Sequence, residues 1–213
     1  MKRILLLVYI SLFTFGNISA QQGPSVKAVK PDMTDVIRTL EVAGYQLYSF
    51  DLSSLKGKTY EIQVFLEQTD STGTKQILRV NFGAIDVTSS DKKIGQHREV
   101  GKVSVAVVPT NVDSIQRLSV SLGKKGGITP KVNLRPLERD AKNYHYQSRP
   151  FRLTKFQSDV DIPLLLYGSA WYDEKSQVHR FCGESEIDPD MSTEILKYIP
   201  HYYIIGIRLT EKE

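Results

Sequence analysis

The stretch YEIQVFL, residues 60–66, places apolar side chains at Tyr60, Ile62, Val64 and Leu66, with Glu61 and Gln63 between them. A period of two is that of a β-strand with one face on a core and the other toward water. The same alternation runs through Tyr48, Phe50 and Leu52 in YSFDL, and through Leu78, Val80 and Phe82 in LRVNF. It continues through Val103, Val105 and Val107, then Leu118, Val120 and Leu122. Between these runs lie TDSTGTK, TSSDKK, PTNVD and GKKGG, clusters of residues that favour turns. Half-buried strands at this spacing predict a mostly β protein, an antiparallel β-sandwich of Ig-like or jelly-roll-like type with one or two short helices.

Two segments read as helices. In Thr34–Ala43 the residues Val36, Leu40 and Ala43 recur at helical spacing, and Gly44 stands where a helix would end. Ser192–Tyr198 is the second, with Asp190 or Ser192 as its cap and Glu194 in its first turn. The run IPLLLYG, residues 162–168, is apolar on both faces and predicts an internal strand covered on both sides, with Pro163 at its start. YYIIGIRL, residues 202–209, reads as a closing strand.

At the N-terminus, Lys2 and Arg3 precede an apolar run from Ile4 to Phe15 and the short polar stretch GNISA. This is the pattern of a secretory signal peptide over residues 1–20, its apolar run too short for the roughly 20 residues that span a bilayer. Cleavage is expected after Ala20. The next residue is Gln21, where a lipoprotein would need a cysteine, so neither a lipid anchor nor a membrane span is expected. Residues 21–33 read as a flexible lead-in, and residues 34–213 as a single β-sandwich domain. Two small β domains divided near residues 136–150, in the Pro-flanked passage RPLERDAKNYHYQSRP, are the alternative.

The formal charge of +4 includes Lys2 and Arg3, so it falls by two with the signal. Lys92–Lys93 and Lys124–Lys125 are short pairs in expected hairpin tips, not a basic stripe, which argues against nucleic acid as a partner. With one cysteine, no intramolecular disulfide can form, and the fold must rest on its apolar core.

The segment RFCGESEIDPDM, residues 180–191, holds that cysteine and four alternating acids. His179 lies three residues before Cys182, but on a strand the two point to opposite faces, so Cys182 is expected to pack as a small apolar residue. The acids Glu184, Glu186, Asp188 and Asp190 are the one candidate for a metal, calcium. They do not follow the EF-hand spacing, and a solvated acidic turn leading into a helix is the plainer reading. No zinc site is expected, because His97, His145, His179 and His201 form no HxH or HxxxH pair. GxSxG, GxxxxGKS and strand-borne GxGxxG are all missing, so no catalytic residue and no cofactor is assigned.

What remains is aromatic. Tyr144 and Tyr146 in KNYHYQ, with Trp171, Tyr172 and Arg180 in AWYDEKSQVHR, are the candidate binding residues, since aromatic rings and arginine dominate surfaces that hold sugars or protein partners. The competing reading has Trp171 and Phe181 plugging the core.

The signal ending ISAQ, the all-β pattern and the aromatic, Lys-rich composition resemble the small exported proteins of unknown function of gut Bacteroidetes. The resemblance implies a periplasmic or extracellular β-sandwich with a binding role. An exported, soluble, non-enzymatic protein that binds a protein or a glycan is therefore expected. A carboxylate-dependent hydrolase of polysaccharide or peptidoglycan is one alternative. A structural or assembly subunit, marked by a free sheet edge or an exposed apolar patch, is the other.

Overall fold

Strand β2, Thr59–Asp70, turns at Gly73 into β3, Gly73–Val87, and the two form the long hairpin on which the rest is built. Gly73 holds φ at +114°, a region favouring glycine, while an Asp70 carboxylate oxygen accepts the Thr72 N–H at 2.7 Å. The computed structural model describes residues 30–88, 98–152 and 155–212. The expected signal peptide, residues 21–29 of the expected lead-in, and the Lys92–Lys93 tip lie outside the described residues.

The chain divides into two units, Met1–Val36 and Ile37–Glu213. Helix α1, Met33–Val42, sits close to the expected span. At its start Asp32 accepts the N–H groups of Thr34 and Asp35, and Asp35 returns a bond to the Asp32 N–H. At its end Tyr45 N–H bonds to Leu40 C=O and Gly44 N–H to Glu41 C=O, with Gly44 at φ +85°, a Schellman closure.

Beyond the helix come β1, Gln46–Asp51; β4, Glu99–Val100; β5, Lys102–Val108; β6, Ile115–Ser121; β7, Gly127–Ile128; and β8, Lys131–Asn133. Then follow β9, Tyr146–Pro150; β10, Asp161–Ser169; β11, Trp171–Asp173; β12, Val178–Arg180; and β13, His201–Glu211. One sheet has the order β1-β5-β6-β7, with β8 also on β6. The other runs β4-β3-β2-β13-β10-β9, all antiparallel except the two-residue β3–β4 pairing. β11 and β12 form a separate two-stranded ribbon. β13 pairs with β2 from His201–Asp70 to Glu211–Tyr60, so the last strand lies at the centre of the sheet that the first half began. Among the described residues β1 pairs only with β5, which leaves its other edge free.

The alternating residues meet as the periodicity requires. Tyr60, Ile62, Val64 and Leu66 face Val103, Val105, Leu118 and Val120 of the other sheet in one core cluster. Burial of this apolar area is the main force holding the two sheets together. β10 is covered on both faces, Leu165 and Tyr167 by this core and Leu166 by a second one. Pro163 lies near its start, beside a bulge in the pairing with β13.

The second core was not visible in the sequence pattern. Phe65, Leu166 and Ile204 on the outer face of the six-stranded sheet are covered by Phe151, Ile187, Ile195 and Ile199. The acid-rich segment thus spans an apolar floor, pinned by Arg152 N–H to Ile187 C=O and Ile187 N–H to Pro150 C=O.

Two expectations are corrected here. The helix expected over Ser192–Tyr198 is only a 3-10 turn at Glu194–Lys197. Met191 enters it with φ +60°, Pro200 follows closely, and the Thr193 hydroxyl accepts the Asp188 N–H instead of capping. Cys182, expected to be packed away, is exposed, because Gly183 at φ +135° turns the chain there and Phe181 and Ile187 supply the inward contacts on either side.

Candidate functional site

At one end of the two-sheet stack a cavity of about 420 Å³ opens between the start of β1, the β5–β6 loop and the connection from β8 to β9. That connection is a compact turn. Leu137 N–H bonds to Asn143 C=O and Asn143 N–H to Asp140 C=O, with Arg139 at φ +63°. The turn delivers Lys142, Asn143, Tyr144, His145 and Tyr146 to the cavity in succession. The opposite wall carries Gln46, Thr110, Asp113 and Gln116. Gln116 is held from both ends of its amide, since Nε2 donates to Val108 C=O and Oε1 accepts from the Tyr167 hydroxyl at 3.4 Å.

Behind this wall the inner face becomes polar. The Tyr146 hydroxyl lies 2.5 Å from His201 Nδ1 and accepts the Arg135 N–H at 3.0 Å, and its ring sits 5.3 Å from that of Tyr167. His201 is 1% exposed, and its Nε2 has no partner among the described residues. Burial, with the nearby Arg135 cation, pushes the imidazole down to about 4, so it is neutral near pH 7. Burial also pushes Tyr146 and Tyr167 above the ordinary phenol range. Arg135 pairs with Asp70, which hydrogen bonds from Thr72 above all hold down at about 2.

An aromatic path leads out of the cavity. The His145 and Phe181 rings are 6.1 Å apart, Phe181 and Trp171 6.3 Å, and Trp171 stacks on Tyr198 at 6.0 Å and 25°. Tyr198 is 52% exposed. Trp171 is half-buried against the second core, so it serves as a partial plug while keeping one side near the surface. Under Phe181 lies Arg149, 5% exposed, its guanidinium 4.0 Å from the ring centroid. Arg149 donates to the carbonyls of Phe181 at 2.9 Å and Glu184 at 2.6 Å, fixing the loop that carries Cys182.

Of the five residues singled out in the sequence, Tyr144 and Tyr146 come together in the cavity, and Trp171 stands on the path beside it. Tyr172 and Arg180 do not join them. The Arg139 guanidinium covers the Tyr172 ring at 4.3 Å, and Arg180 is tied to Asp173 at 2.6 Å within the β11–β12 ribbon. Gln46, Gln116 and Tyr167 reach the cavity from distant strands and Asp113 from the β5–β6 loop, and no local spacing in the sequence marks them.

The four candidate calcium ligands are not gathered. Arg152 takes Glu186 at 3.3 Å and Asp188 at 2.9 Å, and Asp190 accepts the Ser192 N–H. Among the described residues no three His, Cys, Asp or Glu side chains are placed to hold a metal ion. His179 Nε2 donates to Glu138 C=O at 2.6 Å rather than facing Cys182. The cavity itself is lined by one carboxylate, Asp113. Among the described residues no helix is long and apolar enough to cross a membrane.

Fold and site together define a two-sheet, mostly β protein with a polar, tyrosine-lined cavity at one end of the stack. The chain belongs to the family described as a domain of unknown function, DUF5041, whose model matches residues 15–211. No curated protein and no solved structure matches the chain.

Proposed function

We propose that this is an exported binding protein of the periplasm or cell surface, of the gut Bacteroidetes type its sequence resembles, and that it takes a glycan in the tyrosine-lined cavity. The observation that carries the reading is the lining. Tyr144, Tyr146 and Tyr167 supply flat apolar faces, while Gln46, Asn143, Gln116, Asp113 and Lys142 supply donors and acceptors around the same space. Sugar rings present that pairing of C–H faces and hydroxyl edges, and about 420 Å³ lies within the common range of ligand pockets. The export component rests on the residue pattern of positions 1–20.

The test is calorimetric titration of the protein with a panel of bacterial and host oligosaccharides, repeated on Tyr144→Ala. Tyr144 is half-buried in the wall of the cavity rather than in the core, so the variant should keep its melting temperature. Loss of one stacking ring should weaken binding by about five- to tenfold. No saturable glycan binding, or equal binding by the variant, overturns the reading.

A further inference from the structure

The aromatic rings outside the tyrosine-lined cavity begin at its wall. His145, exposed there, stands one ring-to-ring step of 6.1 Å from Phe181. Two further steps, of 6.3 and 6.0 Å, pass through Trp171 to Tyr198, which is 52% exposed. The last two rings lie at only 25° to each other and make one flat pair. A single sugar seated against Tyr144 and Tyr146 is about one ring across and cannot reach that pair. A chain of linked sugars, advancing by roughly one such step per unit, can.

These rings are in place before any ligand arrives. Phe181 rests on the Arg149 guanidinium, and its carbonyl accepts from Arg149 Nη2 at 2.9 Å. Trp171 packs against the second core, and the Tyr198 N–H bonds to Ile195 C=O at 3.0 Å. Rings already fixed lose little freedom when a ligand stacks on them, so more of the contact energy appears as affinity. Polar groups accompany the rings: Gln147 Nε2 lies 3.1 Å from His145 Nε2, and exposed Glu194 and Lys197 share the turn of Tyr198. Phe181 and Trp171 are half-buried and present too little apolar area for the core of a protein interface. Flat apolar faces interspersed with donors and acceptors suit sugar rings. Pyranoses with equatorial hydroxyls match them best, because both of their C–H faces stay flat.

We infer that the ligand is an oligosaccharide of at least three pyranose units with equatorial hydroxyls, its first unit in the tyrosine-lined cavity and its last stacked on the Trp171–Tyr198 pair. This rests on the glycan reading of the cavity and adds to it a second binding surface and a minimum length.

The experiment is a calorimetric titration of the full protein with two length series, β-1,4-linked glucose and β-1,4-linked N-acetylglucosamine, each of one to four units. In the series that binds, affinity should rise by about tenfold or more from one unit to three and then level off. Tyr198→Ala, at an exposed position, should weaken the trimer by about five- to tenfold and leave the single sugar unchanged. Tyr144→Ala should weaken every length, because each places a unit in the cavity. Trp171 is the only tryptophan of the chain, so its emission gives an independent readout. Trimers should shift it to shorter wavelength, and the single sugar should not. Binding of the single sugar that Tyr144→Ala abolishes, with no gain toward the trimer, overturns the extended path and leaves the cavity reading standing. A trimer bound equally by wild type and a Tyr198→Ala protein of normal melting temperature, or an unmoved Trp171 emission at saturation, overturns it likewise. No saturable binding in either series overturns the inference as well, and the cavity reading falls with it only if the whole oligosaccharide panel is silent.

Discussion

The Tyr146 hydroxyl and His201 Nδ1 lie 2.5 Å apart behind the tyrosine-lined cavity, in a place where neither side chain can ionise cheaply. His201 has an ordinary value of 6.5 and is held at about 4 in the folded protein. The unfolded chain therefore binds more protons than the folded one between these values, and stability must fall as pH drops through that window. Full stability from this group is present above about pH 6.5 and is lost progressively toward pH 4. From 6.5 to about 4, at about 1.4 kcal/mol per pKa unit, the slope integrates to about 3–4 kcal/mol. Chemical denaturation of the wild type and His201→Gln across pH 4–7 should show the difference, with the variant flatter on its acid side. Equal slopes would mean that His201 is not buried as a neutral ring.

Gly206 sits in β13 beneath the ring of Phe65. A Cβ at this position would lie 2.3 Å from the Ile162 carbonyl oxygen and 2.5 Å from the end of the Phe65 ring. The oxygen is backbone and paired in the sheet, so it cannot step aside without breaking the β10–β13 ladder. Gly206→Ala should cost about 2–4 kcal/mol, more than an ordinary overpacked position. Thermal unfolding of the single variant tests this, and a melting temperature within a degree or so of wild type would contradict the close approach.

The two-sheet core was legible because residues such as Ile62, Val64, Val105 and Val120 face one core and alternate with wetter neighbours. A strand covered on both faces, β10, was legible for the opposite reason, its unbroken apolar run. The outer core was not, because Ile187, Ile195 and Ile199 are single apolar residues scattered through a polar, acid-rich segment that follows neither period. The exposure of Cys182 was illegible for the same reason, since local composition does not reveal which residues of an irregular loop face inward. Tyr144 and Tyr146 were found because two aromatics stand together in a polar passage. Gln116 and Tyr167 became neighbours of theirs only through the packing of distant strands, and Asp113 through the β5–β6 loop, which the sequence alone does not display.

Arg149 holds the loop after β12 with a buried cation that donates to the carbonyls of Phe181 and Glu184. Burial lowers its pKa from the ordinary guanidinium range. Arg149→Met keeps much of the apolar contact with Phe181 while removing the hydrogen bonds, so two carbonyls lose their donor. Stability should fall by about 1–3 kcal/mol, and the loop should open locally before the sheets do. Amide exchange at residues 181–186 is the measurement, with faster exchange in the variant than at β2 and β13. Uniform protection in both regions would show that the loop is held by its isoleucines alone.

Asp161 joins β3, β10 and β13 by accepting from Arg79 of one strand and Arg208 of another. All three side chains are only partly exposed, at 24–36%, so the bidentate contact is shielded from water more than a surface pair would be. Hydrogen bonds from Arg79 are the largest cause of a carboxyl held below its ordinary value of 3.8. Because the folded value is depressed, the stabilisation is fully present above that ordinary value and is lost as pH falls through the lower folded one. Asp161→Asn should therefore cost about 1–3 kcal/mol at pH 7, where the wild-type carboxylate is charged. At pH 3, below the ordinary value of 3.8, the gap between variant and wild type should narrow, since the unfolded wild-type chain takes up a proton there that the folded carboxylate resists. A difference that stays constant from pH 7 to pH 3 would assign the loss to geometry rather than to charge, and would remove Asp161 as the anchor between the two arginines.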